Sequence, residues 1–421
     1  MKKLYHTNYD FGAPIPPASE IDLSTLDLVD SELWRREAYW DRFERLRREE
    51  PVHYCPDSFV GPFWSVTRYK DIMAVDTNPK VFSSDTAHGG IVLRDSTPEF
   101  PAGFIAMDEP KHSLHRTTVQ PIVGPDFLRG FEGLIRERTC TVLDSLPRGV
   151  AFDWVDKVSI ELTTMMLATL FDFPFEDRRR LTRWSDVATG EENEAICPGG
   201  REQWEREMLE CLQVFTGLWN ERVNSPEPRP DLVSMMAHHP NTREMTPIEY
   251  FGNLILLIVG GNDTTRNSMT GGLYALSRNP AEFAKLRADA AIIPNMVSEI
   301  IRWQTPLAHM RRTALEDCEL GGKRIRKGDR VAMWYVSGNR DEEIFEDPNA
   351  FRIDRKNARQ HMAFGFGIHR CLGNRVAELQ LRILWEELHK RFPRIHVLEE
   401  PERLPNSFVK GYTRMMVEIP A

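Results

Sequence analysis

Cysteine is scarce in this chain and unpatterned. The six residues Cys55, Cys140, Cys197, Cys211, Cys318 and Cys371 include no Cys-x-x-Cys pair, which excludes an iron–sulfur cluster set and the dense framework of a small secreted domain. Basic residues are in deficit. There are 54 against 63 acidic residues, a net charge of −9, which argues against nucleic acid or an anionic membrane as partner. Nothing near the N-terminus approaches the roughly eighteen apolar residues of a membrane span, and Met1-Lys2-Lys3-Leu4-Tyr5-His6 leads into no apolar signal core. A soluble, cytoplasmic protein in a reducing compartment is expected. No Gly-x-Gly-x-x-Gly run offers a flavin or nicotinamide site, and no internal repeat or low-complexity domain is present.

What is present is mostly helical. With 421 residues and 41% hydrophobic content, the chain can bury a large core and enclose a cofactor. Helical periodicity dominates over residues 31–49, 131–145, 156–170 and 201–223. Thr246-Pro247-Ile248-Glu249 supplies a capping box with proline at the first helical position. The helix it opens should run to about Arg278 and span roughly 45 Å. Leu254-Ile255-Leu256-Leu257-Ile258-Val259 is apolar all round, which marks a buried central helix. Strand signals are fewer: 63–66 is one, and 324–334 reads as a hairpin with a glycine turn. Pro14-Ile15-Pro16-Pro17 belongs to an extended N-terminal arm over residues 1–30, and the prolines between 226 and 230 mark an interhelical loop. The fold class expected is mainly α with a small β region (α+β).

Two segments carry chemistry. In Phe364-Gly365-Phe366-Gly367-Ile368-His369-Arg370-Cys371-Leu372-Gly373 a single cysteine sits in a glycine-rich turn. Leu372, Val376, Leu379 and Ile383 then recur at steps of four, three and four, one buried face of a helix that starts near Cys371. A thiol ligates iron as the thiolate, and a helix N-terminus with neighbouring cations, here His369, Arg370 and Arg375, favours that form. Gly365, Gly367 and Gly373 let the backbone fold tightly and approach the sulfur and a flat macrocycle, beneath which Phe364 would pack. Within the central helix, Gly260-Gly261-Asn262-Asp263-Thr264-Thr265 combines poor helix formers with side chains that compete for backbone hydrogen bonds. A local distortion is expected there.

Phe364, Gly367, His369, Cys371 and Gly373 together resemble the signature of the cytochrome P450 superfamily, the haem-thiolate monooxygenases. The resemblance implies a P450 fold, its long central helix lying over haem b, with Cys371 as axial thiolate and Phe364, Gly365 and Gly373 beside the ring. It implies His112, Arg116, Arg312 and His369 as partners of the haem carboxylates, and Asp263 and Thr264 as a proton relay. Glu299 and Arg302, three apart on one helix, would form a buried structural triad with Arg355. Since these positions must converge on one haem, residues 1–421 are expected to form a single domain. The implied reaction inserts one oxygen atom from O2 into a C–H bond. Electrons would come from a ferredoxin served by an NAD(P)H-dependent ferredoxin reductase, docking near Lys111, His115, Arg370 and Arg375.

Segments 261–272, 303–314 and 333–341 look like the bacterial alkane and fatty-acid terminal hydroxylase branch, and the resemblance covers roughly residues 100 to 395. It implies hydroxylation at the terminal (omega) methyl of a medium-chain alkane or fatty acid. Segments 83–107, 184–200, the central helix, 305–310 and 404–411 would line the pocket. They offer Ile91, Val92, Leu93, Phe104, Ile105, Leu256, Val259, Gly260, Leu307, Met310, Phe408 and Val409, although a core role suits each of the apolar side chains equally well. The alternatives are a hydroxylase of a steroid side chain or terpenoid, a haem-binding sensor or electron carrier without oxygenase activity, and a metal-free helical interaction protein.

Overall fold

The computed structural model describes residues 12–94, 103–190 and 196–421. The helices among them are α1 (Ser31–Arg35), α2 (Trp40–Glu49), α3 (Tyr69–Asp76), α4 (Lys111–Val119), α5 (Pro125–Asp144), α6 (Glu161–Phe171), α7 (Arg179–Thr189), α8 (Gly200–Val223), α9 (Leu232–His238), α10 (Pro247–Arg278), α11 (Pro280–Ala288), α12 (Ile293–Gln304), α13 (Tyr335–Gly338) and α14 (Asn374–Arg391). Strands β1 (Val52–Cys55), β2 (Phe63–Val66), β3 (Phe82–Ser83), β4 (Ala151–Asp153), β5 (Met310–Ala314), β6 (Cys318–Leu320), β7 (Lys323–Ile325) and β8 (Arg330–Met333) are followed by four short strands between residues 396 and 418. The architecture is the mainly α, small β one expected. Parts of two segments named above as pocket walls, 95–102 and 191–195, lie outside the described residues, as do the first eleven residues of the arm.

The central helix is α10, 32 residues long, or about 48 Å. Its capping box is formed: the Glu249 N–H donates to Thr246 Oγ1, and Glu249 Oε2 accepts from the Thr246 N–H at 2.9 Å. The helix runs unbroken across residues 260–265, so the expected distortion does not interrupt it. Instead the Thr264 hydroxyl donates to the Gly260 carbonyl one turn back, at 2.9 Å. Further along, a Cβ on Gly271 would fall 2.2 Å from Gln304 Oε1, so any side chain there would displace Gln304. Glycine there lets α10 and α12 cross in contact.

Three sequence readings need correction. The helix read over 31–49 is two helices, because α1 ends on Glu37 at φ 56 with Ala38 N–H bonded back to the Leu33 carbonyl at 2.8 Å, a left-handed helix end. The helix read over 156–170 begins as a π-helical turn, Val155–Ile160, before α6. The hairpin read over 324–334 does not form. β7 pairs with β6 around Gly321 and Gly322, whereas β8 lies between β2 and β5 in the five-stranded sheet β1-β2-β8-β5-β3. Val331, Ala332 and Met333 are buried, and such a strand is best accommodated with neighbours on both edges; Gly328, at φ 90, turns the chain from one sheet to the other.

That sheet positions one wall of the site. β5 pairs antiparallel with β8, Met310 opposite Met333 and Arg312 opposite Val331. Just before it, Leu307 forms an antiparallel bridge with Val409, Ala308 N–H donates to the Phe408 carbonyl (2.9 Å), and Lys410 N–H to that of Pro306 (2.8 Å). Among the described residues no helix is long and apolar enough to cross a membrane.

Candidate active site

Residues 364–373 form a tight loop in front of α14. The Cys371 N–H donates to the Phe364 carbonyl at 2.8 Å, while Gly365 and Gly367 sit at φ 63 and 64, the left-handed region that glycine enters at no steric cost. Gly367 is required twice over, since a Cβ there would lie 2.5 Å from the Asp76 carbonyl oxygen. Gly373 needs no special conformation, yet a Cβ on it would meet no protein atom within 4 Å, and it lines the cavity above the loop. Cys371 lines the same cavity and is exposed to it, although it lies deep in the fold. Burial pushes its thiol pKa up, opposed by the Gly373 N–H, Arg116 and Arg370. The leading cations are therefore Arg116 and Arg370 rather than His369 and Arg375.

One end of the cavity is basic. His112 and His369 stand with ring centroids 4.2 Å apart, and Arg116 and Arg312 line the cavity with them. Burial drives the pKa of His369 far down, helped by Arg312, His112 and Arg116; His112 moves the same way, burial first. Both shifts disfavour the imidazolium form of these two histidines while no anion is bound beside them. His112 Nε2 and His369 Nδ1 are buried without a hydrogen-bond partner, a costly arrangement unless an acceptor is bound there.

Opposite the loop, Gly260, Gly261, Asp263, Thr264, Thr265 and Ser268 of α10 line the cavity. Asp263 is buried and accepts from Ser185 Oγ (3.1 Å) and Asn262 Nδ2 (3.2 Å), with Arg266 Nη2 at 3.0 Å. Arg266 also pairs with Asp186 at 2.7 Å, so α7 grips the acid of α10. Burial raises the Asp263 pKa, Arg266 opposing it. Nothing in the sequence signals Ser185 or Asp186 as its partners, because they approach it only in the fold.

The cavity, of about 350 Å³, lies within the range of small-molecule sites, about 300–1,000 Å³. Ile91, Val92, Phe104, Ile105, Leu256, Val259, Gly260, Leu307, Met310, Phe408 and Val409 line it as expected. Leu93 does not. It is buried on the far side, in a cluster with Trp34, Phe63 and Trp334, and its carbonyl accepts from Arg311 and Arg330. Ala188 and Thr189 of α7, within the 184–200 segment, line it too, whereas sequence reading missed Met166, Leu167 and Leu170 of α6, a helix with no pattern separating cavity from core. Outside the cavity, Glu299 meets Arg302 at 2.7 Å and Arg355 at 3.1 Å, each at most 3% exposed. Of the four groups proposed for partner docking, Arg370, Arg375 and Lys111 are exposed. His115 is buried against Asn253 Nδ2 at 3.1 Å and cannot belong to a docking face.

Residues 220–409 match the cytochrome P450 family profile. Linalool 8-monooxygenase of Pseudomonas putida is 36% identical over 403 residues, covering 93% of this chain and 98% of that protein. The chain belongs to the cytochrome P450 family. The methyl-branched lipid omega-hydroxylase of Mycobacterium tuberculosis is 31% identical over 434 residues, 96% of either chain. Among solved structures, cytochrome P450-153 from Novosphingobium aromaticivorans superposes with a TM-score of 0.86 at 46% identity, covering 94% of this P450 and 99% of that chain.

The prosthetic group of the family, haem with a cysteine thiolate as axial ligand, fits the residues present. Cys371 is the loop cysteine facing the cavity. Gly373 leaves room for a flat ring, and the two unpartnered imidazole nitrogens and two guanidinium groups suit a pair of carboxylates.

Proposed function

We propose that this P450 hydroxylates the terminal methyl of medium-chain alkanes or fatty acids, using electrons from a ferredoxin and its NAD(P)H-dependent reductase. The observation that carries this reading is the cavity wall, aliphatic and aromatic over most of its extent, with Leu307 and Val409 bridged through their backbones. An internal C–H bond is weaker than a terminal one, so selection of the chain end is a positioning effect. A wall fixed by main-chain hydrogen bonds is suited to impose it. The omega-hydroxylase relative, by its name, oxidises a lipid at the chain end, which supports the same reading.

When bound, the haem and its thiolate supply the activation of dioxygen. The protein's own side chains do the rest. Cys371 would provide the ligating sulfur. Arg116, Arg312, His112 and His369 would hold the carboxylates, and Glu299, Arg302 and Arg355 keep the architecture behind the loop. Asp263, held by Ser185 and Arg266, and Thr264, whose hydroxyl donates to the Gly260 carbonyl, both line the cavity as the two groups of the proposed proton relay. The ferredoxin is assigned to the face carrying Lys111, Arg370 and Arg375.

Reconstituted turnover with octane and dodecanoic acid should give the terminal alcohol as the major product of each. Internal alcohols as the major products would overturn the reading. A second reading, a terpenoid hydroxylase, is favoured by the 36% identity to linalool 8-monooxygenase; tighter binding and faster turnover of linalool than of octane would select it. The relay has its own test. Asp263→Asn should lower product formation about 10²-fold, as loss of a positioned general acid does, and Thr264→Ala should divert reduced oxygen to peroxide. The rate of product formation measures the first and product formed per NAD(P)H consumed the second, and an unchanged ratio in Thr264→Ala removes its hydroxyl from the relay.

A further inference from the structure

Asp76, the last residue of α3, is 3% exposed and reaches the basic end of the site. Its Oδ1 accepts from Arg312 Nη2 at 2.9 Å, and its Oδ2 accepts from the Tyr335 hydroxyl at 3.0 Å and the Phe366 N–H at 2.7 Å. One carboxylate thus ties together β5, the start of α13 and the cysteine loop. Its backbone carbonyl is also the atom that forbids a side chain at Gly367. In the Arg312–Asp76 pair both side chains are at most 3% exposed. Glu109, the carboxylate beside His112 at 3.5 Å, is 41% exposed and therefore screened by solvent. Asp76 is the buried counter-charge of this basic cluster.

We propose that Asp76 is a positioning residue for the haem that also sets its reduction potential. It holds Arg312 and the loop backbone at Phe366 in place, and its fixed negative charge keeps the potential low. Reduction adds an electron, which surrounding positive charge favours and buried negative charge opposes. Charges act strongly on one another inside a protein, where the effective dielectric constant is far below that of water. The three donors satisfy the carboxylate, so its charge is held in place. This inference rests on family membership and is independent of which substrate is oxidised.

The test is the ferric/ferrous potential of the haem-loaded protein, measured by spectroelectrochemistry without substrate or turnover. Asp76→Asn keeps the size of the side chain and removes its charge. The reduction equilibrium should move toward the ferrous form by about tenfold, ~59 mV for a one-electron couple. Tyr335→Phe removes one donor without changing charge and should leave the potential at the wild-type value. An unchanged potential in Asp76→Asn, or an equal shift in Tyr335→Phe, overturns the proposal. If Asp76→Asn fails to retain haem, the comparison is made with Arg312 also neutralised, where no charge of the pair stays buried. The double variant Asp76→Asn/Arg312→Gln should have a higher potential than Arg312→Gln alone, and equal potentials overturn the inference.

Discussion

In Cys371→Ala, the red-shifted band of the reduced, carbon monoxide-treated protein disappears and monooxygenation falls to background, while the fold survives. The reasons are local. Cys371 is the loop cysteine facing the cavity, and the other five cysteines are placed elsewhere: Cys55, Cys197 and Cys211 are buried in apolar clusters, Cys140 donates to Glu387, and Cys318 lies in the β6–β7 hairpin. No neighbour can replace the sulfur. The loop itself is held by the Cys371 N–H and Phe364 carbonyl, a bond that alanine preserves. Far-ultraviolet circular dichroism should therefore change little, in contrast to the visible spectrum. Retention of both the thiolate band and turnover would show that another group ligates the iron.

Glu299→Gln is the second change of large effect, and it acts on stability rather than on chemistry. The Glu299 carboxylate accepts two bonds from Arg302, at 2.7 Å each, two from Arg355 at 3.1 and 3.2 Å, and one from the Arg352 N–H at 2.9 Å. Arg302 and Arg355 then spend their remaining donors on the carbonyls of Asn339, Pro348, Ala350, Glu346 and Asp347. Removing the negative charge leaves two guanidinium groups buried without their counter-ion. Breaking such a pair costs about 3–5 kcal/mol, and denaturant titration should show that loss with release of haem at lower denaturant. The combined replacement of Glu299, Arg302 and Arg355 by apolar residues of similar volume should recover part of it, because no charge then stays buried. A loss below about 1 kcal/mol, the worth of an exposed pair, would mean that solvent reaches the triad.

The parts of the site legible in the sequence share a property: their residues lie close together along the chain or carry an unusual local chemistry. The capping box at Thr246, the glycine loop before Cys371 and the Glu299–Arg302 spacing each fix a local geometry, and the structure forms all three. What sequence could not supply was contact across distance. Asp76 and Ser185 are unremarkable members of amphipathic helices until α3 and α7 close against the loop and α10. Leu93 failed for a related reason, since apolar character gives no indication of which side of a segment meets the cavity. The 324–334 hairpin failed because the glycine turn was recognised correctly while the burial of Val331–Met333, which demands neighbours on both edges, was not.

The backbone pairing of residues 306–308 with 408–410 has a consequence for how this pocket could diversify. Its hydrogen bonds run between main-chain atoms, so they are indifferent to which side chains occupy positions 307, 310, 408 and 409. Exchanging those side chains alters the shape offered to a ligand while the frame that carries them stays intact. The wall is a mount with interchangeable fittings, and new substrate preferences can arise at it through single substitutions that leave these main-chain bonds in place.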